Sequence, residues 1–154
     1  MNLKAKGDLA ELKVAADLRR RGFGIAIPFG EDHDFDLILI RAQQLERVQV
    51  KYTRSNGSVI YVKCRSHSLT NGRVRKTKHY TAETIDLLAV YDETSNRCYY
   101  IPAEEMGTGR STISLRLTPA LNGQRIGIRS AADYLNPDRE GRDMEPAGIE
   151  PATS

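Results

Sequence analysis

Apolar residues first recur at helical spacing in the run GDLAELKVAADLRRRGF, where Leu9, Leu12, Ala15, Ala16 and Leu18 are set among charged positions. The pattern predicts one helix. Arg19, Arg20 and Arg21 fall in its last turn, where cations suit the helix dipole, and Gly22 stops it. Glu11 lies beside the apolar stripe, at the expected rim of a core. After Phe23 the period shortens. FGIAIPF reads as a strand closed by Pro28, and GEDHD as a turn around Gly30. FDLILI, residues 35–40, is a second strand, too apolar for an exposed edge. ERVQVKYT is a third. GSVIYVKCR is a fourth, with Val59, Tyr61 and Lys63 on one face and Ile60, Val62 and Cys64 on the other.

The stretch SHSLTNGRVRKTKH, residues 66–79, reads as a polar basic loop turning at Asn71 and Gly72. DLLAVY is then a buried strand, DETSNR a turn, and CYYIP a strand that can pair back as a hairpin. AEEM predicts a brief helical start, TISLRL a short strand and RSAADYL a short helix. Tyr80, Tyr91, Tyr99 and Tyr100 read as packing residues of sheet and hairpin. The expected fold is an α/β (α+β) domain over residues 1–140, a central mixed sheet with a helix packed on it. Residues 141–154, polar and rich in Pro and Gly, read as a disordered tail.

At 154 residues the chain can bury one core. No run approaches the apolar length of a membrane-spanning helix, and the N-terminus lacks the apolar stretch of a signal peptide. Cys64 and Cys98 are far apart and are expected to be reduced thiols of a cytoplasmic protein.

Charge changes the picture more than composition does. The net charge is only +3, yet no Asp or Glu occurs between Glu46 and Glu83. That interval holds Arg47, Lys51, Arg54, Lys63, Arg65, Arg73, Arg75, Lys76 and Lys78. An acid-free basic block predicts a polyanionic partner, most simply nucleic acid.

The third strand contains RVQVKYT, with Gln49 and Lys51 on one face and Val48 and Val50 on the other. Asp36 opens the preceding strand. If the two strands are neighbours, Asp36 and Gln49 approach across the sheet, and Glu11 can be brought over by the helix. These groups suit Mg²⁺, which takes oxygen ligands, keeps several waters and needs only one or two protein carboxylates. Asp36 is the expected principal ligand, with the amide oxygen of Gln49 and the carbonyl of Val50 beside it. Glu11 would hold a metal-bound water or serve a second ion. Lys51 would activate the attacking water or stabilise charge on a phosphate. A His–metal centre around EDHDFD would need further His and Asp residues; the chain has only His33, His67 and His79, of which His67 and His79 read as basic-loop residues near phosphate, and Asp34 reads as part of the turn or as a helper near Asp36.

The D-x12-Q-x-K run after a Glu-bearing helix resembles the PD-(D/E)XK nuclease superfamily. The later segments YTAETIDLLAVYDETSNRCYYIP, LRLTPALNGQ and AADYL resemble one branch of it, small bacterial endonucleases that include an intron-encoded homing endonuclease. Phe35 stands where that family has Pro, and Gln49 where it usually has an acid. The resemblance implies a restriction-endonuclease-like core with helices flanking the sheet. It also implies a Mg²⁺-dependent, site-specific endonuclease acting on double-stranded DNA, with catalytic residues Glu11, Asp36, Gln49 and Lys51. The cations expected at DNA are Arg54, Lys63, Arg65, Arg73, Arg75, Lys76 and Lys78. A double-strand break needs two such sites, so a homo-oligomer follows, at least a dimer and in expectation a tetramer. A Holliday-junction resolvase, and a DNA-binding module that has lost its chemistry, are the alternatives. Finally, GIEPAT, residues 148–153, back-translates on the opposite strand to the GGTTCRANYCC pattern of tRNA T-arms, so the reading frame is expected to end antisense across a tRNA gene.

Overall fold

A computed structural model describes residues 1–70, 73–107, 111–120, 122–123 and 127–138, without the side chains of 66–70 and 73–79. The proposed tail and its T-arm pattern lie outside the described residues. The elements are one helix, α1 (Leu3–Arg20), and nine strands among the described residues. These are β1 (Gly24–Ala26), β2 (Leu37–Ile40), β3 (Leu45–Thr53), β4 (Val59–Lys63), β5 (Arg65–Thr70), β6 (Arg73–His79), β7 (Leu87–Asp92), β8 (Arg97–Pro102) and β9 (Thr112–Arg116).

α1 begins a turn earlier than its apolar pattern suggests, because the Asn2 side chain accepts the Ala5 amide at 2.8 Å and caps it. It ends where Gly22 takes a left-handed φ of 93°. Its buried stripe is Ala10, Val14 and Leu18, four residues apart. Leu12, expected in that stripe, is 70% exposed. Two residues from Ala10 is more than half a turn, so Leu12 must face water.

The central sheet has the order β1-β2-β3-β7-β8. Neighbours are antiparallel except β3 and β7, which run parallel. β7 is buried on both faces, as the apolar run DLLAVY implies. On one face Leu37, Leu39, Val48, Val50 and Ala89 pack against α1. On the other, Leu88, Val90, Tyr99 and Ile101 form a second core with Ile60, Val62, Ile113 and Leu115. Those last four come from β4 and β9, which pair with each other in a separate small sheet. Of the two faces expected of β4, Ile60 and Val62 on one are buried, while on the other Tyr61 and Lys63 are exposed but Val59 is buried.

β7 and β8 form the expected hairpin. Fully buried Asp92 fixes its start by accepting from Ser55 N at 2.7 Å, Ser55 Oγ at 2.9 Å and Ser95 N at 3.0 Å. All four tyrosines read as packing residues are buried. AEEM and AADY are single 3-10 turns, Ala103–Met106 and Ala131–Tyr134. Cys64 and Cys98 are buried free thiols. Among the described residues, no helix is long and apolar enough to cross a membrane.

One expectation is corrected. The basic stretch read as a loop contains β5 and β6, an antiparallel pair in which Ser66 faces Lys78 and Ser68 faces Lys76 in register. The turn expected at Asn71 and Gly72 lies outside the described residues. Asn-Gly between two strand-compatible runs is itself a hairpin signal; the density of Lys and Arg hides it.

Candidate active site

The β2–β3 register sets Leu37 opposite Val48, so Asp36 arrives one residue earlier, alongside Gln49 and Val50. Its backbone amide donates to the Val48 carbonyl at 2.8 Å. Its carboxylate accepts the Val50 amide through Oδ2 at 2.9 Å. Asp36 is therefore fastened to the backbone of β3 by both its amide and its carboxylate. Among the described residues its Oδ1 accepts no hydrogen bond.

Val48 and Val50 point into the α1-side core. Strand alternation sends Gln49 and Lys51 to the opposite face. The Gln49 amide nitrogen donates to the Val50 carbonyl at 3.2 Å. Lys51 reaches toward the base of the β5–β6 pair, its Nζ 3.4 Å from the Arg65 carbonyl oxygen and 4.9 Å from the centre of the Tyr80 ring.

The electrostatics tie these groups to one another. Burial raises the Asp36 carboxyl above its ordinary value, against the lowering effects of the Val50 amide and the Lys51 ammonium. Burial lowers Lys51, against the pull of Asp36. Glu11, half-buried on α1, is raised first by burial and next by the negative charge of Asp36. The structure thus brings Asp36, Gln49 and Lys51 together and holds Glu11 within the field of Asp36. Among the described residues no group of three or more His, Cys, Asp or Glu could hold a metal.

His33 and Asp34 belong to the turn that delivers Asp36. The His33 ring bonds the Phe29 carbonyl oxygen at 2.8 Å and lies 5.4 Å from the Phe35 ring.

The cations of the acid-free block separate into different roles. Arg47 is held structurally. Its amide donates to Asp86 Oδ2 at 2.7 Å, its guanidinium meets both oxygens of Asp86 at 3.0 and 3.1 Å, and it also reaches the Glu83 carbonyl at 3.0 Å. Arg54 is exposed, 4.0 Å from Glu93. Lys63 is exposed at the end of β4, and Arg65 is half-buried at the start of β5. Arg73, Arg75, Lys76 and Lys78 lie along β6. Sequence reasoning missed two relationships: Arg47 with Asp86, and Tyr80 beneath Lys51. Both join residues far apart in the chain, and no local pattern announces either.

A family profile described as PD-(D/E)XK endonuclease matches residues 1–137. No curated protein sequence matches the chain. Among solved structures, the bacterial homing endonuclease I-Ssp6803I is similar with a TM-score of 0.68 at 22% identity, over 91% of this chain and 90% of that one. The Holliday junction resolvase Hjc of Archaeoglobus fulgidus, an archaeal hyperthermophile, is similar with a TM-score of 0.43 at 11% identity, over 72% of this chain and 84% of that one. At these identities the first likeness establishes the fold and the second carries no weight.

Proposed function

The chain belongs to the PD-(D/E)XK endonuclease family, and on that premise we propose that it is a Mg²⁺-dependent, site-specific DNA endonuclease of the homing type, making double-strand breaks by phosphodiester hydrolysis. One observation carries the reading. Asp36 is fastened to the backbone of the strand that bears Gln49 and Lys51, with Glu11 in its field.

The donor set suits a divalent ion that prefers oxygen. Burial first, and then the negative charge of Asp36, raise the proton affinity of Glu11, and a cation relieves the conflict between the two carboxylates. Gln49 and Val50 add a neutral amide oxygen and a backbone carbonyl. The Gln49 amide now gives its nitrogen to the Val50 carbonyl; turned about its last torsion it would present oxygen instead, an arrangement a cation favours. Asp36, Gln49, Val50 and Glu11 would hold one ion, or two with Glu11 serving the second. With only two carboxylates, affinity should be modest.

When bound, Mg²⁺ supplies charge neutralisation at the phosphate and a more acidic water. The chain's own residues do the rest. Asp36 fixes the position of the reacting centre because it cannot shift without breaking two bonds to the backbone of β3, one from its amide and one to its carboxylate. Lys51, driven toward the neutral form by burial and held charged by Asp36, presents a poorly solvated ammonium to the phosphate, where it stabilises charge that develops in the transition state. Cleavage leaves 5′-phosphate and 3′-hydroxyl ends.

The cations Arg54, Lys63, Arg65, Arg73, Arg75, Lys76 and Lys78 bind the duplex backbone. An antiparallel ribbon such as β5–β6 has the dimensions to enter a major groove. One site cuts one strand, so a break requires at least two copies, and a long target favours a tetramer.

The test is cleavage of genomic DNA with the ends mapped, with Mg²⁺ and with EDTA, beside Asp36→Asn and a synthetic four-way junction. Discrete breaks that need Mg²⁺ and Asp36, with no preference for the junction, are expected. Preferential cutting of the junction would make the protein a resolvase. Binding without cleavage at any metal concentration would reduce it to a DNA-binding module.

A further inference from the structure

The Lys51 ammonium is enclosed from two directions by the roots of one hairpin. Arg65, the first residue of β5, offers its carbonyl oxygen at 3.4 Å. Tyr80, the residue after β6, lies with its ring centre 4.9 Å away. A backbone bond from Tyr80 N to the Cys64 carbonyl at 2.9 Å ties these two roots together. Tyr80 is 6% exposed, so its ring is a fixed surface rather than a mobile one.

This arrangement answers a specific difficulty. A lysine removed from water needs compensation, and the largest charge compensation comes from Asp36. A direct ion pair would draw the ammonium onto the carboxylate and compete with any cation there. No Lys51–Asp36 ion pair forms among the described residues. An aromatic face offers a different compensation: its quadrupole attracts the cation without carrying a charge and without accepting a proton.

We propose that Tyr80 is the positioning residue for Lys51, its ring face holding the ammonium away from Asp36 and directed at the phosphate. This rests on the reading of Lys51 given under Proposed function. It also makes the base of the β5–β6 pair part of the catalytic apparatus rather than only a stalk for a DNA-binding arm.

The test replaces Tyr80 by Phe, by mono-, di- and trifluorophenylalanine, and by Leu, in the full chain. Fluorination weakens the ring's hold on a cation stepwise while scarcely changing its shape. Single-turnover cleavage should stay within about threefold for Phe and fall progressively with fluorine, to a loss of about five- to thirtyfold for the trifluoro ring and for Leu, the scale of one partly desolvated cation–π interaction. DNA affinity measured in Ca²⁺ should not change. In metal-free protein, reductive methylation of Lys51, followed by mass spectrometry, should quicken along the same series. Thermal melts confirm that each variant is folded at the assay temperature. A flat fluorine series in both readouts overturns the role of Tyr80, because packing alone does not respond to ring electrostatics. Lys51→Ala, run in parallel, separates the two ideas. If it cleaves normally, the reading of Lys51 fails; if it is inactive while the series is flat, only the role of Tyr80 fails.

Discussion

Asp36 Oδ2 accepts the amide hydrogen of Val50 at 2.9 Å, so the acid that opens β2 is locked to the strand that carries Lys51. The bond is backbone to side chain across the sheet, and it survives substitution of Gln49 or Lys51. Single replacements in this site should therefore report on chemistry more than on folding.

Lys51→Ala is expected to lower the cleavage rate by about two to three orders of magnitude, the scale of removing one transition-state charge stabiliser. Its affinity for duplex DNA in Ca²⁺ should be nearly unchanged. Cleavage at the parent rate would remove Lys51 from the mechanism.

Asp36→Asn should abolish cleavage and, in EDTA near neutral pH, raise the melting temperature. The sign follows from linkage. Burial raises the Asp36 carboxyl in the folded chain above its ordinary 3.8. The group therefore favours folding fully below the unfolded value, and that contribution is lost as pH rises through the folded value. At neutral pH the ionised carboxylate opposes folding, and a neutral amide that still accepts from Val50 removes the opposition. The gain should vanish as pH falls below the unfolded value; melts across that range check it.

Gln49→Glu adds a third carboxylate beside Asp36 and Glu11. Mg²⁺ binding, measured by calorimetry, should tighten, and the metal-free protein should lose stability near neutral pH through like-charge repulsion. If metal binds no better while Asp36→Asn abolishes binding, Gln49 is not a ligand.

The cations of the acid-free block should separate in a salt titration. Neutralising Arg73, Arg75, Lys76 and Lys78 should reduce the dependence of log affinity on log salt by about 0.9 for each phosphate that is no longer neutralised, with little change in melting temperature. Arg47→Gln should do the reverse. It breaks the pair with Asp86 and costs about 1 kcal/mol, since both side chains are 36% exposed and water screens them, but it leaves the salt slope intact.

That contrast marks the boundary of what the sequence discloses. The apolar run of FDLILI and the period-two alternation of RVQVKYT reveal two strands, and the spacing of Asp36 from Gln49 and Lys51 is enough to expect their meeting, because a short connection makes the two strands neighbours. The β7–β8 hairpin is legible for the same reason. Leu12 departs from expectation because a hydrophobic residue within helical spacing of others need not share their face; Val14, which does, lies in the buried stripe. β5 and β6 escape a sequence reading because cations and hydroxyls mask alternation in a strand that need not bury an apolar face. The ring beneath Lys51 and the anchor of Arg47 depend on chain crossings from distant segments, and neither leaves a local trace.

The parallel pairing of β3 with β7 has a consequence for synthesis. A ribosome releases β3 well before β7, and everything from β4 to β6 emerges between them. During that interval β2 and β3 can already pair, but Val48, Val50 and the rest of β3 present an open, apolar strand edge to other nascent chains. The arrangement around Lys51 cannot be complete in this period, because Tyr80 and the strand that buries the β3 edge emerge only after β6. The β3 edge thus stays open until β7 has left the tunnel, and that delay is when the chain is most exposed to misassembly.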